Sequence, residues 1–167
     1  MQFEDEQFDV YLSNLCLQLV CSPENMLKEA FRVLKKGGKL GLSIWGKKEL
    51  TKHIHAVDQI LKENGKITPP ARSNYKLSES VEELKSLFEK VGFTNIKYSY
   101  LPIFYEVFTY EDFAKFLIMP DIKKYLSEVN EETRAKIARE FEEYYRLNIE
   151  NSDDFVTLSS LVIVAIK

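Results

Sequence analysis

Apolar positions repeat with two different periods along this chain, and the alternation of the two periods lays out its elements. Residues 8–14 (FDVYLSN) are apolar on both faces apart from Asp9, which predicts a short strand of the kind buried in a parallel sheet covered on two sides. Met26, Leu27, Ala30, Phe31 and Leu34 then recur at helical spacing. Ser22 is suited to cap that helix, Pro23 to open it and Glu24 to meet the positive end of its dipole. Lys35 and Lys36, followed by Gly37 and Gly38, predict its end. Residues 39–45 (KLGLSIW) predict a second strand, so residues 8–45 read as a strand, helix, strand unit, the kind that closes as a parallel pair with a right-handed crossover.

The same alternation continues downstream. Leu50, Ile54, Val57, Ile60 and Leu61 predict a helix over 47–62, and residues 64–76, with Gly65, Pro69 and Pro70, predict a connector. Ser80 and Glu83 have the spacing of a capping box ahead of Leu84, Leu87, Phe88 and Val91, with Gly92 as the stop before a strand over 95–101. Residues 102–151 break the pattern. Thr109 predicts the cap of a short helix bearing Phe113, Phe116 and Leu117, and a longer charged helix is expected over 130–145 with Ile137, Phe141 and Tyr144 inward. Residues 155–166 close the chain, and LSSLVIVAI within them is its most strand-like run and is expected at the sheet centre. These elements predict one α/β domain over 1–167, with residues 102–151 as a helical cap insertion before the last strand.

Composition narrows the function classes. With 167 residues, 45% hydrophobic and 13% aromatic, the chain has material for one core. Its apolar runs fall well short of the roughly 20 residues that cross a membrane, and its first residues are acidic, so a cytoplasmic protein without a membrane partner is expected. A net charge of −3 with mixed signs argues against nucleic acid as a partner. Cys16 and Cys21 are expected as reduced, partly buried thiols. His53 and His55 point to opposite sides of a helix, so no metal site is expected from them.

Three stretches, FEDEQFDVYLSNLCLQLV, LKEAFRVLKKGGKLGLSIWG and LKSLFEKVGFTNIKYSY, together resemble the second half of a class I S-adenosylmethionine-dependent methyltransferase of the small-molecule type. RVLKKGGKL, residues 32–40, is the most specific part, because it joins a helix, its glycine stop and the next strand at one spacing. The resemblance covers about residues 2–101 and 155–167 and implies a partial Rossmann-like methyltransferase sheet with helices on both faces, its strands equivalent to the family's 4, 5, 7 and 6 in that order. It implies S-adenosylmethionine as cofactor and a small molecule as substrate. The chain departs from the family in having no G-x-G motif. The family's glycine-rich turn and the two acidic residues that hold the cofactor would all precede Met1, so this chain alone is expected not to catalyse.

Ligands of open α/β sheets bind outside the carboxyl ends of the strands. On that rule, and on the resemblance, Ser13, Asn14, Leu15 and Leu19 are the candidate cofactor residues, and Gln18, Trp45, Phe104 and Tyr105 the candidate substrate residues. Alternatives stand beside several of these: Asn14 is equally suited to bond its own turn, Trp45 to pack under the cap, and Phe104, Tyr105, Phe108, Tyr110, Tyr144 and Tyr145 to form core. Asp9 is expected in a structural ion pair. Methyl transfer depends on alignment more than on a triad, so no nucleophile and base pair is sought, and His53 and His55 are minor candidates for a base. A non-catalytic binding or assembly module is the second reading. Without the family's first three strands, residues 8–14 become an unpaired apolar edge, which predicts a homodimer or hetero-complex through that strand.

Overall fold

The computed structural model describes residues 2–66, 76–150, 152 and 156–167. The chain divides into two compact units, one of Met1–Lys48, Pro70–Pro102 and Ser159–Lys167, the other of Glu49–Pro69 and Ile103–Leu158. The expected connector 64–76 falls largely outside the described residues, as does Phe155 at the expected start of the last strand.

Most of a four-stranded sheet lies in the first unit, its strands being β1 (Phe8–Asn14), β2 (Leu34–Trp45), β3 (Thr94–Tyr105) and β4 (Val156–Ile166), ordered β1-β2-β4-β3. β1 runs parallel to β2, pairing Val10 with Lys39 through Asn14 with Ser43. β4 runs antiparallel to β2, from Lys39 opposite Ile166 to Trp45 opposite Ser160. The last strand therefore lies inside the sheet, where the unbroken apolar run of 161–166 belongs. This is the order expected for strands equivalent to 4, 5, 7 and 6.

Helices α1 (Pro23–Val33) and α3 (Val81–Val91) supply Leu27, Ala30, Leu84 and Phe88 to the core of this unit. They join Leu40, Leu42 and Ile44 of β2 and Leu161, Ile163 and Ala165 of β4, alternate positions that share a sheet face. Both helices begin as the sequence predicts. The Ser22 hydroxyl accepts from the Asn25 amide at 3.3 Å, and that of Ser80 from the Glu83 amide at 3.2 Å. Gly92 ends α3 in the left-handed conformation, φ 116°.

The end of α1 differs from expectation. Helix gives way to strand at Leu34, so Lys35 to Gly38 do not terminate it. Leu34 is fully buried, and extended backbone there leads straight into β2. The next residues form an irregular entry: two steps along β1, from Phe8 to Val10, correspond to five along β2, from Leu34 to Lys39. Gly37 takes φ 76° in this excursion and donates its amide to the Lys167 carbonyl at 2.9 Å. The glycine pair serves a strand irregularity instead of a helix stop.

β1 also differs. Val10 is 53% and Leu12 78% exposed, so within this chain the strand is not covered on both faces. Tyr11, on its other side, packs against the core. Cys16 and Cys21 are free and exposed, not partly buried, because the short turn Leu17–Leu19 between them turns Leu17 inward.

The second unit is helical, with α2 (Lys52–Glu63), α4 (Tyr110–Ala114), α5 (Pro120–Glu128) and α6 (Glu131–Asn148). Thr109 and Asp112 form a reciprocal capping box on α4, and the Asn130 side chain caps α6 through the Thr133 amide at 2.8 Å. Val57, Leu61, Phe113, Phe116, Ile137, Phe141 and Tyr145 make its core. A short turn, Lys48–Thr51, precedes α2, so the expected helix starts later than residue 47.

Candidate functional site

The parallel pairing of β1 with β2 brings their carboxyl ends together, where Ser13, Asn14, Gln18 and Ser43 lie, Ser13 on the sheet face opposite Asn14 and Ser43. β1 ends where Leu15 adopts φ 50°, a left-handed conformation that a branched side chain rarely takes and that persists only when its surroundings hold it. Its amide is held by the Ser43 carbonyl at 3.0 Å and the Ser43 hydroxyl at 3.2 Å. The Ser43 hydroxyl in turn donates to Asn14 Oδ1 across the strands. Gln18 folds back from the following turn and donates Nε2 to the Leu15 carbonyl at 2.9 Å. The bend after β1 is thus fixed by the neighbouring strand and by the turn that follows.

Two polar atoms in this cluster are buried and find no hydrogen-bond partner among the described residues: Ser13 Oγ and Gln18 Oε1. A buried hydroxyl or amide oxygen without a partner costs free energy, so such atoms are uncommon in folded chains and call for an account. Gln18 Oε1 can only accept, while Ser13 Oγ can donate or accept. Each suits a ligand with an amine or hydroxyl group.

Tyr11 lies on β1 nearby, and burial, with the adjacent Cys16 thiol, pushes its phenol above the usual value, so it stays protonated at neutral pH. Asp9 is ion-paired as expected, with Lys35 Nζ 2.9 Å from each of its oxygens, at the opposite end of the strand.

Of the remaining candidates, Leu19 is 65% exposed beyond the turn. Trp45 is half-buried at the end of β2, opposite Ser160. The chain just after it is locked down: the Gly46 amide donates to the Ser159 carbonyl at 2.6 Å, and its carbonyl accepts from the Ser78 hydroxyl at 2.8 Å. Phe104 and Tyr105 belong to the second unit, where Tyr105 sets its ring edge-on to Phe116 at 5.7 Å and Phe104 is 58% exposed. Tyr145 is a core residue, its hydroxyl donating to the Phe108 carbonyl at 3.4 Å. His53 is buried, with Nδ1 3.0 Å from the Tyr144 hydroxyl and the Phe113 ring stacked on Tyr144, which reads as packing. Ser43 was not singled out by sequence reasoning. Its only signal was a hydroxyl within an otherwise apolar strand, since its partner lies 29 residues away.

Residues 1–42 match a family described as a methyltransferase domain. Over 109 residues the chain is 30% identical to the ubiquinone/menaquinone biosynthesis C-methyltransferase UbiE of Vibrio parahaemolyticus, covering 59% of this chain and 42% of that protein. It is 32% identical over 97 residues to an uncharacterised protein of Methanocaldococcus jannaschii, covering 58% of this chain and 43% of that one. Its fold is similar to that of a putative methyltransferase from an antibiotic biosynthesis pathway of Anabaena variabilis, with a TM-score of 0.59 at 12% identity over 97% of this chain and 68% of the other. Over part of its length the chain is thus similar to methyltransferases, in sequence and in fold. It spans less than half the length of these curated relatives.

Proposed function

We propose that this chain contributes the carboxyl-terminal part of a methyl-transfer site that takes S-adenosylmethionine and a small-molecule acceptor, and that by itself it does not catalyse. The observation that carries the reading is the pair of buried, unpartnered atoms Ser13 Oγ and Gln18 Oε1 beside the left-handed Leu15, at the strand end where open α/β sheets take their ligands. The cofactor's amino-acid part carries an ammonium, and many acceptors carry an amine or hydroxyl; either donor fits Gln18 Oε1, and Ser13 supplies a second contact.

S-adenosylmethionine, when bound, supplies a methyl group on a cationic sulfonium that is displaced in line by the acceptor. The work left to this chain is to hold and align. Leu15 and Ser43 fix the bend, and Gln18 and Ser13 accept or orient ligand protons. The absence of a G-x-G turn from the chain's six glycines supports the second half of the proposal, because the usual phosphate or carboxylate cradle at a first helix is missing from these residues. The same absence favours a non-catalytic binding module as the second reading.

An NMR titration of the isotope-labelled chain with S-adenosylhomocysteine tests this. The expected result is shifts confined to residues 13–18 and 43, with a dissociation constant on the order of a millimolar and no turnover. Micromolar affinity overturns the incomplete-site reading, and shifts elsewhere or none at all overturn the assignment of the site.

A further inference from the structure

Asn14 and Ser43 are direct partners across the parallel pair of β1 and β2, so their side chains stand on one face of the sheet. A serine hydroxyl has one proton to give and lone pairs to receive. That of Ser43 accepts from the Leu15 amide at 3.2 Å, and its proton goes to Asn14 Oδ1. Reversing the Asn14 amide would set Nδ2 against Ser43 and leave the hydroxyl proton without an acceptor among the described residues. The run of bonds from Leu15 through Ser43 to Asn14 therefore fixes which end of the amide faces β2. Oδ1 is engaged, and Nδ2, with two protons and no acceptor among the described residues, is directed away from Ser43.

An asparagine that ends a strand commonly bonds its own turn. This turn does not use the Asn14 amide: the Leu15 N–H is taken by the carbonyl and hydroxyl of Ser43, and the Leu15 carbonyl by Gln18 Nε2 at 2.9 Å. All of these bonds run among residues 14, 15, 18 and 43. We propose that Asn14 Nδ2 is the donor with which this strand end takes an acceptor oxygen of the ligand, a carboxylate or a hydroxyl, and that Ser43 is the positioning residue that sets the amide this way round. The inference rests on the methyl-transfer reading and adds to it a donor, where Gln18 Oε1 supplies only an acceptor.

NMR of the isotope-labelled chain titrated with S-adenosylhomocysteine, read at the Asn14 side-chain amide, tests it. Both Nδ2 proton resonances are expected to shift together with the backbone amides of residues 15–18. Asn14→Asp keeps the acceptor for Ser43 but presents an oxygen that cannot donate, so it weakens binding by about tenfold or more with an otherwise unchanged amide spectrum. Ser43→Ala retains the backbone carbonyl that holds Leu15, so the bend persists while the Asn14 amide is released; binding weakens about fivefold, and Ser43→Thr, which restores the hydroxyl, recovers it. An analogue of S-adenosylhomocysteine without the carboxylate distinguishes the two oxygens. If it leaves the Asn14 resonances unmoved, the carboxylate is the acceptor; if it shifts them as fully, a ribose hydroxyl is, and either result supports the donor role. Shifts at residues 13–18 that leave Nδ2 unmoved, wild-type affinity in Asn14→Asp, or a Ser43→Thr variant no better than Ser43→Ala overturn this inference and leave the methyl-transfer reading standing. Absence of any shift at residues 13–18 and 43 overturns both.

Discussion

Ser13→Ala is expected to stabilise the first unit while weakening its hold on a ligand. The Ser13 hydroxyl is buried and makes no hydrogen bond to any described residue. Burying a hydroxyl without a partner costs roughly 1–3 kcal/mol by the measure of protein mutants, and the alanine removes that cost with no bond lost in exchange. The small gap left by the oxygen offsets part of the gain, roughly 0.5–1 kcal/mol on the scale of a missing methyl group. The net is a stabilisation of about 1 kcal/mol, or a rise of roughly 2–4 °C in midpoint for a domain of this size. Trp45 is the sole tryptophan and lies in the first unit, so its fluorescence during urea unfolding reads that unit separately from the helical one. The second arm is the S-adenosylhomocysteine titration, where loss of one neutral hydrogen bond weakens binding about fivefold, the equivalent of roughly 1 kcal/mol. A variant that loses about 1 kcal/mol of stability refutes the reasoning, since the hydroxyl must then be satisfied within the fold. Stabilisation with unchanged binding refutes the ligand role alone.

Two further substitutions probe the packing of α1 against α3. Gly92→Ala forces a side chain into φ 116°, where its Cβ would lie 2.9 Å from the Phe31 ring; backbone strain of about 1–2 kcal/mol and overpacking of about 1–3 kcal/mol predict a loss of roughly 2–4 kcal/mol in urea unfolding, with Phe31→Leu in the same chain recovering only the overpacking part. Glu24 is held at about 2, below its ordinary 4.5, by hydrogen bonds from Lys28 and from Lys90 of α3. Its folded value lies below its unfolded one, so its contribution is complete above pH 4.5 and is lost as the pH falls toward 2. Acid unfolding followed by Trp45 fluorescence is therefore expected to show a stability loss in that window that Glu24→Gln reduces, and an unchanged pH profile in the variant removes Glu24 from the account.

Much of the fold could be read from residues that act on near neighbours. Ser22, Ser80 and Thr109 cap the helices that the sequence predicts for them, because a cap bonds an amide only three residues away. Gly92 stops α3 for an equally local reason. Errors arose where one stretch answers to another far along the chain. The glycines after α1 look like a helix stop, yet Leu34 is drawn into the core and the glycines serve a β2 irregularity tied to Lys167, the last residue. The cysteines flank an apolar turn, yet only Leu17 of that turn is buried.

The candidate site divides along the same line. Its location at the end of β1 followed from strand order and the carboxyl-end rule, and Ser13, Asn14, Leu15 and Gln18 were named on that ground. Its geometry did not follow, because Ser43, 29 residues from Asn14, is what holds Leu15 in its left-handed bend. The sequence alone determined most of the elements, the caps Ser22, Ser80 and Thr109, the place of the final strand and the resemblance to methyltransferases, all of which rest on short-range periodicity and contiguous motifs. Only the tertiary structure decided which polar atoms at the end of β1 are satisfied and which find no partner among the described residues. Hydrogen-bond partners and solvent exposure are set by residues that meet only after the chain has closed on itself.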